Sequence, residues 1–146
     1  MQRLAVFQFL DHDNVEYTKV KINPGDRHKV EFNVEKEKSM GIKWTFKSEG
    51  HDIGFGIFYE KKDAVVPKKR VEANRSIQSG SFLCEEKGLF TVVFDNTYSF
   101  ARGKTIFYDI KLVSKEEIAR DEELMHKIEE EIQKTVAENE QLHNLE

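Results

Sequence analysis

Asp52-Ile53-Gly54-Phe55-Gly56-Ile57-Phe58 and, further on, Phe94-Asp95-Asn96-Thr97-Tyr98-Ser99-Phe100 decide how this chain folds. The first stretch is apolar on both faces, as a central strand requires. Its two glycines stand where a neighbouring backbone must come close. The second reads as a strand end running into an Asp-Asn turn, in which short polar side chains bond their own backbone. Neither has the composition of a catalytic loop.

Outward from these stretches the body alternates with period two, the mark of strands with one buried face. Val30, Phe32 and Val34 alternate with Glu31 and Asn33, and Ile42, Trp44 and Phe46 with Lys43, Thr45 and Lys47. Thr18–Ile22 alternates and stops at the turn cluster Asn23-Pro24-Gly25-Asp26. Ile53–Tyr59 and Leu89–Phe94 are apolar throughout, and Thr105–Val113 is the last long run. Gly50, Gly80, Gly88 and Gly103 are expected in the gaps. Short strands at this spacing, with no helical pattern between them, predict an all-β fold, an antiparallel sandwich. Trp44, Phe46, Phe55, Ile57, Phe90, Val92 and Phe94 are its expected core.

The period changes at Ser114. Ser114 and Glu117 make a capping box that opens a C-terminal α-helix. Glu116 and Glu117 suit the positive end of its dipole. A heptad reading puts Met125, Ile132 and Asn139 at one core position and Ile128 and Leu142 at the other, with Val136 beside the weaker Thr135. This is a short seam for a homodimer or a partner helix. Asn139 would favour one parallel register at a cost in stability. Residues 1–113 hold 19 Lys/Arg against 16 Asp/Glu, and residues 114–146 hold 4 against 11. The net charge of −4 therefore divides into a mildly basic body and an acidic helix. Three segments follow: an N-terminal extension or first strand over 1–16, a sandwich over 17–113 and the acidic helix over 114–146.

Several function classes drop out. One cysteine, Cys84, permits neither an internal disulfide nor a Cys-rich zinc site. Gly54-Phe55-Gly56 lacks the third glycine and the helix of a phosphate-binding loop. Asp11-His12-Asp13, His28 and His51 show no metal-ligand spacing, and no Gly-x-Ser-x-Gly elbow occurs. No enzyme, metal or cofactor is expected. Nucleic-acid binding is not expected either, because the body is nearly neutral and has no aromatic-basic motif. Asn74-Arg75-Ser76 matches a glycosylation triplet by accident. The N-terminal apolar run is too short for a signal peptide, so the chain is expected in the cytoplasm. Lys61, Lys62, Lys68, Lys69 and Arg70 flank Pro67 and are expected to form an exposed loop facing an anionic membrane or a partner.

The Trp44-Thr45-Phe46 strand, the Asp52–Phe58 strand, Gly88-Leu89-Phe90 and the Phe94–Phe100 turn together resemble the GOLD (Golgi dynamics) domain, over roughly Tyr17 to Val113. Most similar are the GOLD domains that end CRAL-TRIO lipid-transfer proteins of the supernatant-protein-factor type. That resemblance implies a jelly-roll-like sandwich used for protein contacts in Golgi and vesicle traffic, or to regulate a lipid-transfer protein. It leaves two rivals: a phospholipid-headgroup sensor, and a structural oligomeriser acting through the helix.

Overall fold

The computed structural model describes residues 16–144; the expected 1–16 segment, with Asp11, His12 and Asp13, lies almost wholly outside them. Eight strands precede one helix: β1 (Thr18–Ile22), β2 (Arg27–Val34), β3 (Met40–Glu49), β4 (Ile53–Tyr59), β5 (Asp63–Val71), β6 (Gln78–Leu83), β7 (Gly88–Asp95), β8 (Lys104–Ser114) and α1 (Lys115–Asn144). They form two four-stranded sheets, ordered β1-β8-β3-β6 and β2-β7-β4-β5, with every pairing antiparallel. That order is an eight-stranded jelly roll.

Inward residues of the two sheets meet in one aromatic core. Phe46 lies 4.7 Å from Phe55 and 5.0 Å from Phe94, centroid to centroid, with Trp44 5.4 Å from Phe55 on the half-buried flank. Such rings bury large areas and hold preferred tilts, so they fix the spacing of the layers. Six of the seven expected core residues are buried outright, and Trp44 partly.

Two expectations are corrected. Lys68, Lys69 and Arg70 lie in strand β5, not in a loop, and Gly80 lies inside β6, opposite Trp44, not in a gap. Both strands are sheet edges. An edge strand needs only one ladder, so it tolerates Pro67, charge and small polar residues that hide its alternation.

The helix begins as the capping box predicts: Glu117 N–H donates to Ser114 Oγ at 3.2 Å. Its first turns lie on the outer face of the β1-β8-β3-β6 sheet. Ile118 sits over Gly41, where an added Cβ would meet its side chain at 2.5 Å. Lys43 reaches Glu117 at 3.5 Å and Asp121 at 2.7 Å. Ile118 and Met125 are buried; beyond them Ile132, Val136 and Leu142 are half exposed or more. The helix therefore docks by its start and runs off the body. Its 30 residues span about 45 Å.

Candidate binding groove on the outer sheet face

The other sheet, β2-β7-β4-β5, presents an outer face that its sequence makes concave. Period two sends Arg27, Lys29 and Glu31 of β2 outward beside Asp95, Val93 and Thr91 of β7. The next strand offers Gly54, Gly56 and Phe58 at the same level. The glycines let neighbouring strands close in. A Cβ on Gly54 would stand 3.0 Å from Asp95, and one on Gly56 would stand 2.8 Å from the Lys68 backbone. The expected close approach is thus real, and it serves the packing of β5 and β7 on β4.

Register shifts in the β4–β5 pairing around Ile57 mark a bulge. Bulges re-aim side chains. Here Lys68, backed onto Gly56, sends its ammonium to Asp95 Oδ2 at 2.7 Å. Arg27 Nε reaches the same oxygen at 3.2 Å, while Thr97 donates to Asp95 Oδ1 from N at 2.7 Å and from Oγ1 at 2.5 Å. The Asp95 side chain is only 3% exposed. Burial works to raise its carboxyl, but the bonds from Lys68, Thr97 and Arg27 outweigh that and hold it well below the usual carboxylate range.

The result is a groove of about 270 Å³. Arg27, Lys29, Lys61 and Lys68 ring it, and Phe58 and Val93 give it apolar surface. Thr91, 2% exposed, completes the floor, and its Oγ1 has no hydrogen-bond partner among the described residues. Lys61 enters from the β4–β5 turn, where both it and Glu60 have left-handed backbones (φ 59° and 52°). Such conformations are uncommon for residues other than glycine.

Of the five expected basic residues, the structure brings Lys61 and Lys68 together in this groove. Lys62 and Lys69 are exposed outside its lining, and Arg70 turns away to Asp52 Oδ2 at 3.0 Å, stacked 4.0 Å over Tyr98. Sequence reasoning missed Arg27 and Lys29. The signal was present: they share the outward parity of Glu31 and Asn33 opposite His28, Val30, Phe32 and Val34.

The remaining motif residues hold the end of the sandwich together. Asn96, fully buried, donates from Nδ2 to the carbonyls of Ile22 and Asn23, each at 3.2 Å, and of Arg102 at 2.8 Å. Tyr98 hydroxyl donates to Asp52 Oδ1 at 2.9 Å, and the buried Lys104 ammonium donates to Asp52 O at 2.8 Å. Burial and the bond to Asp52 push the Tyr98 hydroxyl up to about 12. His28 pairs with Tyr108 at 3.1 Å instead of approaching His51. Among the described residues no group of three or more His, Cys, Asp or Glu is placed to hold a metal. None of the described helices is long and apolar enough to cross a membrane.

On the helix, Met125 is spent on docking, whereas Ile128, Ile132, Val136, Asn139 and Leu142 continue its line past the body. Thus only part of the expected seam remains for a partner.

Comparison with known proteins places these features. Residues 18–145 match the family described as emp24/gp25L/p24 family/GOLD. Protein ctg-1 of Caenorhabditis elegans is 29% identical over 97 residues, covering 60% of this chain and 25% of that protein. Golgi resident protein GCP60 of Homo sapiens is 23% identical over 114 residues, covering 51% of this chain and 22% of that protein. The FYVE and coiled-coil domain-containing protein 1 of Homo sapiens is 23% identical over 82 residues, covering 51% of this chain and 6% of that protein. The chain spans a quarter or less of the length of these relatives.

Proposed function

Because the chain belongs to the emp24/gp25L/p24 family and carries its GOLD domain, we propose that it is a non-enzymatic adaptor that recruits a protein partner at Golgi or vesicle membranes, or regulates a lipid-transfer protein. The observation that carries this reading is the open basic groove, which joins charge to apolar surface on a face that no other element among the described residues covers. Mixed surfaces of this kind steer an acidic partner by charge and hold it by apolar contact. A Golgi resident relative supports the site of action. We place the adaptor on the cytoplasmic side.

Substitution of Lys29 and Lys61 by Glu tests it. Both side chains are exposed, so the fold stays intact, whereas Lys68 and Arg70 are tied to Asp95 and Asp52. The wild-type chain fused to a fluorescent protein is expected on Golgi membranes, and the double variant dispersed. Unchanged recruitment of the variant would refute the groove's role.

A second reading draws on the helix. The apolar line Ile128, Ile132, Val136 and Leu142 beyond the docked turns suits self-association through a short parallel coiled coil. It is compatible with the first, since the groove and the helix lie on opposite sheets.

A further inference from the structure

We infer that the groove between β2 and the β4–β5 turn is a phosphate site that takes the phosphate monoester of a membrane-lipid headgroup. This deepens the adaptor reading, on which it rests, by naming what the groove holds at the membrane.

Charge is the first argument. Arg27, Lys29, Lys61 and Lys68 converge on the groove. Among the described residues, Asp95 and Glu31 are the carboxylates that pair with this set, the latter 4.0 Å from Lys61. Four cations against two carboxylates leave a surplus of two positive charges. A phosphate monoester carries about −1.5 to −2 near neutral pH, and a diester only about −1. The monoester therefore balances the groove, and the diester leaves it half compensated.

Donor geometry is the second. Asp95 holds Arg27 by Nε, which leaves the outer guanidinium nitrogens to a ligand. Lys29 and Lys61 add ammonium donors from the two sides. At the floor, the Thr91 hydroxyl is buried and has no partner among the described residues. Buried polar groups are nearly always satisfied, so an exception on a groove floor calls for an explanation. A phosphate oxygen that reaches the floor accepts that proton and removes the deficit.

Pre-organisation is the third. Asp95 and the bulge fix Lys68 and Arg27, while the two left-handed residues of the turn bring Lys61 to the rim. Both φ values belong to the tight turn closed by Lys62 N–H donating to the Tyr59 carbonyl at 3.0 Å, so the hairpin itself sets where Lys61 stands. Size is the fourth. About 270 Å³ lies just below the usual range for whole small-molecule ligands and suits a headgroup phosphate entering from an open surface. Lys62, exposed on the same turn beyond the lining, would face the surrounding lipid.

The test uses the full chain. Vesicles of phosphatidylcholine carrying phosphatidylinositol 4-phosphate are compared with vesicles carrying phosphatidylinositol or phosphatidylserine at equal surface charge, by flotation. In parallel, inositol 4-phosphate and a Ser-phosphorylated peptide are titrated against labelled protein by NMR. The expected result is selective flotation with the monoester lipid, and amide shifts for inositol 4-phosphate that centre on Lys29, Lys61 and Thr91.

Lys29→Ala and Lys61→Ala should each weaken binding about tenfold, the loss of one charge-assisted bond. Thr91→Val should weaken it severalfold with no change in its salt dependence, since no charge is removed. Equal flotation with phosphatidylserine would overturn the monoester claim. So would shifts centred elsewhere, or tighter binding of the phosphopeptide than of inositol 4-phosphate. Binding of inositol 4-phosphate without flotation would overturn the lipid source. If both arms fail while Golgi recruitment still depends on Lys29 and Lys61, the adaptor reading stands and the phosphate site falls.

Discussion

Replacing Asp95 by Asn removes one charge from the middle of the groove's supporting network. The wild-type carboxylate accepts from Lys68 at 2.7 Å and Arg27 at 3.2 Å, and both charge-assisted bonds lose their strength with the amide. The Thr97 N–H bond at 2.7 Å survives, because an amide oxygen still accepts it. A hydrogen bond to a charged group contributes about 1.5–3 kcal/mol. Lys68 and Arg27 are 41% and 51% exposed, so in the variant they turn to water instead of staying buried unpaired. The lower end of that range therefore applies to each, and the loss is roughly 2–4 kcal/mol, or about 10 °C in Tm. The sign in pH follows from the depressed carboxyl. Its folded-state value lies below the unfolded value near 3.8, so its contribution is complete above about pH 4 and is lost as pH falls toward the folded value. Urea unfolding followed by the fluorescence of Trp44, the single tryptophan, reads both effects. Wild type and variant should differ at pH 7 and converge as pH drops below about 4. A difference within about 0.5 kcal/mol at pH 7, the scatter of an ordinary surface substitution, would refute the network's role. So would a difference that stays constant down to pH 2.

Gly41→Val should undock the helix and strain the β3–β6 edge, because an added Cβ would meet Ile118 at 2.5 Å and the Phe82 carbonyl oxygen at 2.8 Å. The overpacking cost is about 1–3 kcal/mol, and hydrogen exchange should show lost protection over residues 115–125 while β7, in the other sheet, keeps its own. Ile132→Asp with Val136→Asp should turn a dimeric full chain monomeric in sedimentation, and its Tm at high dilution should be unchanged, since both side chains are about half exposed. A wild-type chain that sediments as a monomer at all concentrations would remove the coiled-coil reading. Cys84, fully buried and pushed up to about 11 by that burial, should resist a thiol reagent at pH 8 until the protein is unfolded. Fast labelling of the native chain would contradict its position between β6 and β7.

The candidate site was only partly legible in the chain. Lys61 and Lys68 stood out as members of a basic run, but run membership did not tell which would converge. Lys69 has nearly the same local sequence as Lys68, yet it lies outside the groove, because it pairs with the core residue Phe55 and so faces the other side of the sheet from Lys68. Arg27 and Lys29 are far away in sequence and join the groove only through pairing with β7. Asp95 was read as a turn former. It does bond Thr97 N–H, but its second oxygen serves partners 27 and 68 residues away, which no local pattern reveals.

Local physics, readable from the residues alone, determined the alternating strands, the aromatic core and the capped helix. Each depends on neighbours two to four positions apart, whose facing follows from backbone geometry. β5 and β6 escaped that reading, because edge strands are half released from the demands of burial. Tertiary structure alone decided the sheet order, the docking of Ile118 on Gly41 and the convergence of Arg27, Lys29, Lys61 and Lys68 around Thr91. Those outcomes depend on register between strands distant in sequence, and register is a property of the whole packed sheet, not of any segment in it.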